Sequence, residues 1–244
     1  MRNIRIDMCY DGTRYKGWQR LSATDNTIQA KMEQTLSRIL DEPITVSASG
    51  RTDAGTHAKL QVINFHCNSQ MPCDALLSKL RMYLPEDIGI YSCRNVSERF
   101  HARLNAKTKT YCYRIFNSDK PCVFDRKYVH IDARSFDLDK MRQASQLLVG
   151  THDFSAFCAN KKMKKSTVRT LHAVEIDRVN DEIVFTLTGN GFLHHMVRII
   201  VGTLLEVGIG QRSADSISTL FGGTHADTGG AVPSCGLCLM EVTY

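Results

Sequence analysis

An order of elements that occurs twice does most to restrict the fold. "NIRIDMCY" alternates Ile4, Ile6 and Met8 on one side, the period-two pattern of a half-buried strand. "NTIQAKMEQTLSRIL" then spaces Ile28, Met32, Leu36 and Ile39 at helical intervals, and Asn26 with Gln29 predicts a capping box at its start. "PITVSAS" predicts a second strand, Gly50 to Gly55 a loop, and "LQVINFH" a third strand. "CDALLSKLRMYL" predicts a second helix closed by Pro85, and "IGIYSCRNV" a fourth strand.

From residue 107 the order returns. "KTYCYRIF" predicts a strand, and "SFDLDKMRQASQLLVG" a helix with Phe136, Leu138, Met141 and Leu148 inward and Gly150 as its C-cap. "VRTLHAVEIDRV" and "EIVFTLTG" predict a hairpin across "NDE". "FLHHMVRIIVGTLLEVG" and "SADSISTLF" predict helices, and "GLCLMEVTY" a closing strand. The order βαββαβ is the split-βαβ, ferredoxin-like unit. No low-complexity or Pro-rich linker separates the copies. The predicted fold is α+β: two ferredoxin-like domains with mainly antiparallel sheets, residues 1–104 and 105–244, a duplicated pair around a central cleft.

A chain of 244 residues has room for two cores of this size. "MRNIRIDMCYDG" holds no apolar stretch of roughly 7 to 15 residues, and no segment reaches the roughly 18 apolar residues of a membrane span. Nine cysteines follow no framework spacing and read as reduced thiols. A cytoplasmic protein is expected, with no membrane partner.

The net charge of +6 is concentrated in blocks. Residues 99–118 carry Arg99, Arg103, Lys107, Lys109 and Arg114 with no acid and with aromatics interleaved. Residues 154–174 carry Lys161, Lys162, Lys164, Lys165 and Arg169, again without an acid. One such run reads equally well as a solvated face. Two in one chain favour a polyanionic partner, RNA or DNA, whose phosphates they would neutralise.

Two residues stand out chemically. Arg198 is the one cation in the apolar run from Met196 to Val207. A buried guanidinium without a partner costs several kcal/mol, so it must meet a carboxylate, reach a cleft or snorkel to water. Glu206 lies eight residues along the same helix, which points to an acid in the other half of the chain. Asp53 sits in "ASGRTDAGTHA", between Gly50 and Gly55, with Arg51 before it and His57 after it. Such a carboxylate most often caps a turn. Here the glycines permit close backbone approach to a ligand, and Arg51 can hold phosphate or stack on a base.

"GRTDAGTHA" closely resembles the active-site motif of the TruA-type tRNA pseudouridine synthase family, usually GRTDAGVHA. "YDGTRYKGWQ", "FHARLNAKTKTYCYRI", "GTHDFSAF", "FLHHMVRIIVG" and "GLCLMEV" also match family stretches in order, so the resemblance spans nearly the whole chain. It implies an isomerase that converts uridine to pseudouridine in the anticodon stem-loop of tRNA, around positions 38, 39 and 40, as a homodimer and without cofactor or metal. By position it implies Asp53 as the catalytic aspartate, Tyr111 as the aromatic beside the target base, and Arg198 as the basic residue paired with Asp53. The uridine must leave its stack, least expensively in a loop, and Arg51 and His57 are the candidates to brace the gap. Thr56 stands where Val is usual, Leu21 where Gln is common, and Ile199 where Asn is usual; these departures bear on which uridines are modified.

Two other functions fit less well. A non-enzymatic RNA-binding protein on the same fold is the alternative, but no strand carries the aromatic signature of the RNA-recognition module. A zinc deaminase needs H-x-E before P-C-x-x-C, whereas Ser234 separates Pro233 from Cys235. The adjacent His194 and His195, taken as helical, should point about 100° apart, which argues against a shared ligand.

Overall fold

The period-two stretch at residues 3–10 forms strand β1 (Arg2–Tyr10), with Ile4, Ile6 and Met8 fully buried. The computed structural model describes residues 1–160 and 165–244, which divide into two units: Met1–Lys107 with Cys238–Tyr244, and Thr108–Leu237. The fold is mixed α+β with a mainly antiparallel sheet in each unit.

In the first unit β1 is followed by α1 (Ile28–Leu40), β2 (Ser47–Ala48), β3 (His57–Cys67), α2 (Cys73–Tyr83) and β4 (Ile88–Val96). The sheet order is β4-β1-β3-β2 with every pair antiparallel, the arrangement expected of a split-βαβ unit. Helix α1 buries Ile28, Met32 and Leu36, and α2 buries Leu76 and Leu80, each worth about 1.5–3 kcal/mol. Ile39 is only half-buried, and Leu40 takes the inward place.

Two local expectations fail here. The N-cap of α1 is Thr27, whose hydroxyl accepts from the Ala30 N–H at 3.3 Å. Asn26 instead donates its amide to the Arg14 carbonyl, and Gln29 accepts from the Arg20 N–H, so the capping box is not formed. The strand expected over "PITVSAS" shrinks to Ser47–Ala48. Ile44 and Val46 are buried around an exposed Thr45, yet the backbone joins a ladder only at Ser47.

The second unit contains β5 (Thr108–Phe116), β6 (His130–Ile131), α3 (Leu138–Gln146), β7 (Gly150–Asp153), β8 (Val168–Val179), β9 (Glu182–Gly189) and α4 (Met196–Gly208). Its sheet runs β5-β9-β8-β7, all antiparallel, with β6 parallel beside β5. Gly150 opens β7 and is not the cap of α3, whose C-cap is Leu147. The helix expected over "SADSISTLF" is a 3-10 segment, Ala214–Leu220. In α4 every position except Arg198 and Glu206 is buried, as its apolar circumference requires.

The last strand, β10 (Leu237–Thr243), pairs parallel to β3, with Cys238 opposite His57 and Leu239 opposite Ala58. Sequence order placed residues 238–244 with the second copy, but their contacts place them in the first unit. Strand membership follows hydrogen-bond partners, which chain order does not specify. No helix among the described residues is long and apolar enough to cross a membrane.

Candidate active site

In the first unit the segment from Ser49 to Thr56 joins β2 to β3, and the chain stretch 10–18 holds it in place. The Thr52 carbonyl accepts from the Trp18 N–H at 3.0 Å, and the Gly55 N–H donates to the Tyr15 carbonyl at 3.3 Å. The Asp53 carbonyl closes the turn by accepting from the Thr56 N–H at 3.1 Å. Two glycines of "YDGTRYKGWQ" make this approach possible. A Cβ at Gly12 would lie 2.0 Å from the Thr56 carbonyl oxygen, and one at Gly17, which also has a φ of +96°, would lie 2.9 Å from that of Thr52. The glycines most needed for loop packing are therefore Gly12 and Gly17, on the stretch that wraps it. Their spacing was visible in the sequence; what they pack against was not.

Arg51 is exposed on this loop and Asp53 is half-buried. His57 is only 5% exposed, and its Nδ1 accepts from the Gly12 N–H at 3.1 Å. Its ring is held against the 11–12 turn. His57 was expected, with Arg51, to brace the gap left by the uridine; of the two, Arg51 is the exposed side chain.

Beneath the loop lies a buried polar chain that the sequence did not signal. The Tyr10 and Thr52 hydroxyls are 2.8 Å apart, and the Gln61 amide donates to the Gly50 carbonyl at 3.0 Å. The Gln61 carbonyl oxygen accepts from the Ser49 hydroxyl and from the Val62 N–H. Burial pushes the Tyr10 phenol well above its ordinary value, despite hydrogen bonds from Thr52 and Gln61 that act the other way. Among the described residues, the Thr56 hydroxyl is buried without a hydrogen-bond partner.

In the second unit Tyr111 lies on β5, 7% exposed, with the Phe192 ring edge-on at 5.0 Å and 80°. Arg198 stands in the first turn of α4, half-buried, and its Nε donates to the Val232 carbonyl at 2.7 Å. Glu206 bonds Arg212 at 2.9 Å. The two histidines before α4 do not diverge: their ring centroids are 3.9 Å apart at 35°. His195 is the N-cap in the left-handed region (φ 60°), so the 100° helical offset does not apply.

The basic runs are less uniform than their composition suggests. Arg99, Arg103 and Lys107 are exposed, and Lys109 is half-buried. Arg114 is bound by both oxygens of Glu182 at 2.7 and 2.6 Å, so its charge is already matched. Lys165 is exposed and Arg169 donates to the Ser166 carbonyl, while Lys161, Lys162 and Lys164 lie outside the described residues.

The family model described as tRNA pseudouridine synthase matches residues 8–105 and 144–244, which take in the Asp53 loop, the 10–18 wrap and α4. The chain belongs to the tRNA pseudouridine synthase family. It is an isomerase of that family. The tRNA pseudouridine synthase A of Bacillus sp. (strain KSM-64) is 42% identical over the full length of both chains. The tRNA pseudouridine synthase A 1 of Clostridium tetani (strain Massachusetts / E88) is 43% identical, again over both full lengths. The tRNA pseudouridine synthase A 2 of Bacillus cereus (strain ZK / E33L) is 44% identical over 91% of this chain and 90% of that one. The archaeal box H/ACA sRNP Nop10-Cbf5 complex overlays 83% of this chain and 43% of its own at 12% identity and a TM-score of 0.37, too loose a likeness to carry an inference.

Proposed function

We propose that this synthase isomerises uridine in the anticodon stem-loop of tRNA, around positions 38, 39 and 40, with Asp53 as its catalytic carboxylate. The observation that carries this reading is the backbone clamp on residues 52–56, which holds Asp53 on a rigid loop within the family motif. Tyr111 is the ring beside the target base, and Arg51 and Arg198 are the cations that hold the substrate. In the reaction the bond from C1′ to N1 breaks, the uracil turns while held, and C1′ joins C5. The proton lost from C5 is matched by one gained at N1, so no electrons are exchanged with a second reagent. A carboxylate serves either by attacking the nucleoside or by accepting a proton. Exposed Arg51 is the side chain that fills the place of the extruded base. The enzyme acts in the cytoplasm on tRNA, as a homodimer.

Mapping pseudouridine in tRNA from cells carrying the wild-type chain, Asp53→Ala or no copy tests the reading. Loss confined to the anticodon arm in both deficient strains is the expected result. An unchanged map with Asp53→Ala would remove the proposed role of that carboxylate, and a loss elsewhere in tRNA would remove the proposed site. Light scattering at twice the mass of one chain is expected for the dimer, and a monomer at assay concentration would overturn it.

A further inference from the structure

The buried chain under the Asp53 loop ends on the residue before Asp53, and that link assigns a task to Tyr10. The Gln61 side-chain oxygen is fixed by the backbone N–H of Val62, which can only donate, at 3.2 Å. Its Nε2 therefore faces the Gly50 carbonyl and, at a longer 3.5 Å, the Tyr10 oxygen. Nε2 has only hydrogens to give, so Tyr10 accepts there, and its oxygen also shares a hydrogen bond with the Thr52 hydroxyl at 2.8 Å. Burial pushes that phenol further above its ordinary value, so it stays protonated at neutral pH. A phenylalanine would fill the same space in this core, where Tyr10 is 4% exposed. A buried hydroxyl costs free energy unless it is bonded, and here the bond goes to the residue immediately before Asp53.

Thr52 is thus held twice, by its side chain to Tyr10 and by its carbonyl to the Trp18 N–H. On the other side the Asp53 carbonyl accepts from Thr56. The Asp53 backbone therefore has fixed neighbours in both directions. We infer that Tyr10 is a positioning residue for the Asp53 carboxylate, acting through the hydroxyl of Thr52.

The inference rests on the reading of Asp53 as the catalytic carboxylate, and the test separates the two. Tyr10→Phe, Thr52→Val, the double variant and Asp53→Asn are compared by single-turnover conversion of a tRNA transcript at saturating enzyme. The dissociation constant for tRNA and the thermal midpoint are measured alongside. Tyr10→Phe is expected to slow the single-turnover step about 10- to 100-fold, the scale of a small misplacement of a reacting group, with the tRNA dissociation constant unchanged. Thr52→Val cuts the same link from its other end and is expected to match it, so the double variant should be no slower than the slower single. A merely structural role would move the thermal midpoint and spare the single-turnover rate at a temperature where all variants are folded. Wild-type turnover in Tyr10→Phe, or multiplicative losses in the double variant, with Asp53→Asn inactive, would overturn the inference and leave the Asp53 reading intact. An active Asp53→Asn would overturn that reading itself. If Tyr10→Phe does not fold, Thr52→Val decides: full turnover overturns the inference, and slow turnover with normal tRNA binding supports it.

Discussion

The α-carbon hydrogen of Gly12 faces the carbonyl of Thr56 so closely that a Cβ in its place would stand 2.0 Å from that oxygen. Both partners are backbone, so neither can swing aside. Gly12→Ala must push the wrapping stretch and the Asp53 loop apart, at a cost of about 1–3 kcal/mol or more. The expected outcome is a lower thermal midpoint together with a loss of turnover near 100-fold, because the loop moves with its carboxylate. Thermal denaturation and single-turnover assays on the same preparation check it, and a normal rate would show that the loop tolerates the shift.

Thr56 offers the opposite change. Among the described residues its hydroxyl is buried without a hydrogen-bond partner, at the position where the resembling motif has Val. Thr56→Val keeps the shape and removes the unsatisfied group, so it should stabilise the protein by about 1 kcal/mol, within the range for an orphaned buried polar atom. For a chain of this size that is a rise of roughly 2–4 °C in the thermal midpoint. Denaturant titration supplies the second measurement. A variant no more stable than wild type would mean that the hydroxyl has a partner after all.

The basic residues divide by their partners. Arg103 is exposed, whereas Arg114 is engaged by both oxygens of Glu182. If Arg103 neutralises a tRNA phosphate, Arg103→Ala should flatten the dependence of log Kd on log salt by about one unit. Arg114→Ala should leave that slope unchanged and lower stability instead, because Glu182 loses its partner. Fluorescence anisotropy across a salt series reads both. Equal slopes for wild type and Arg103→Ala would remove that residue from the interface.

Acid sensitivity has an identifiable source in the second unit. Burial alone would push the Asp132 carboxyl up, but hydrogen bonds from the Arg134 side chain and backbone outweigh it and hold it below its ordinary value. A carboxylate held low in the folded state binds its proton more readily when unfolded. Its contribution is therefore complete above the unfolded value near 4 and is lost as pH falls through the lower folded value. Wild type should lose more stability than Asp132→Asn between pH 5 and the acid limit, by about one proton's worth of linkage. Urea midpoints across that range check the difference, and parallel curves would refute it.

Much of the fold was legible because periodicity reports burial. β1, β3, β5, β8, β9 and α4 all fall where alternation or an apolar circumference put them. Features that depend on a distant partner were not legible. "PITVSAS" has the alternation of a strand, but a strand also needs a neighbouring backbone, and only Ser47 and Ala48 find one. Asn26 and Thr27 are both good caps, and the choice fell to Thr27 because Asn26 is engaged by Arg14 across the turn. The Asp53 loop was visible as a motif, whereas its support comes from residues 42 and 51 positions apart in the chain, linking Tyr10 to Thr52 and to Gln61. A single sequence does not display pairings over that distance.

The parallel pairing of β10 with His57 and Ala58 has a consequence for biosynthesis. Those two residues leave the Asp53 loop, and the strand that covers their free edge is translated only after residues 108–236. While the ribosome is still making the second unit, the first has its helices and most of its sheet but an unpaired edge beside the Asp53 loop, the kind of edge that recruits stray strands. The nascent first half is therefore unfinished beside the Asp53 loop until residues 237–243 emerge and pair with β3.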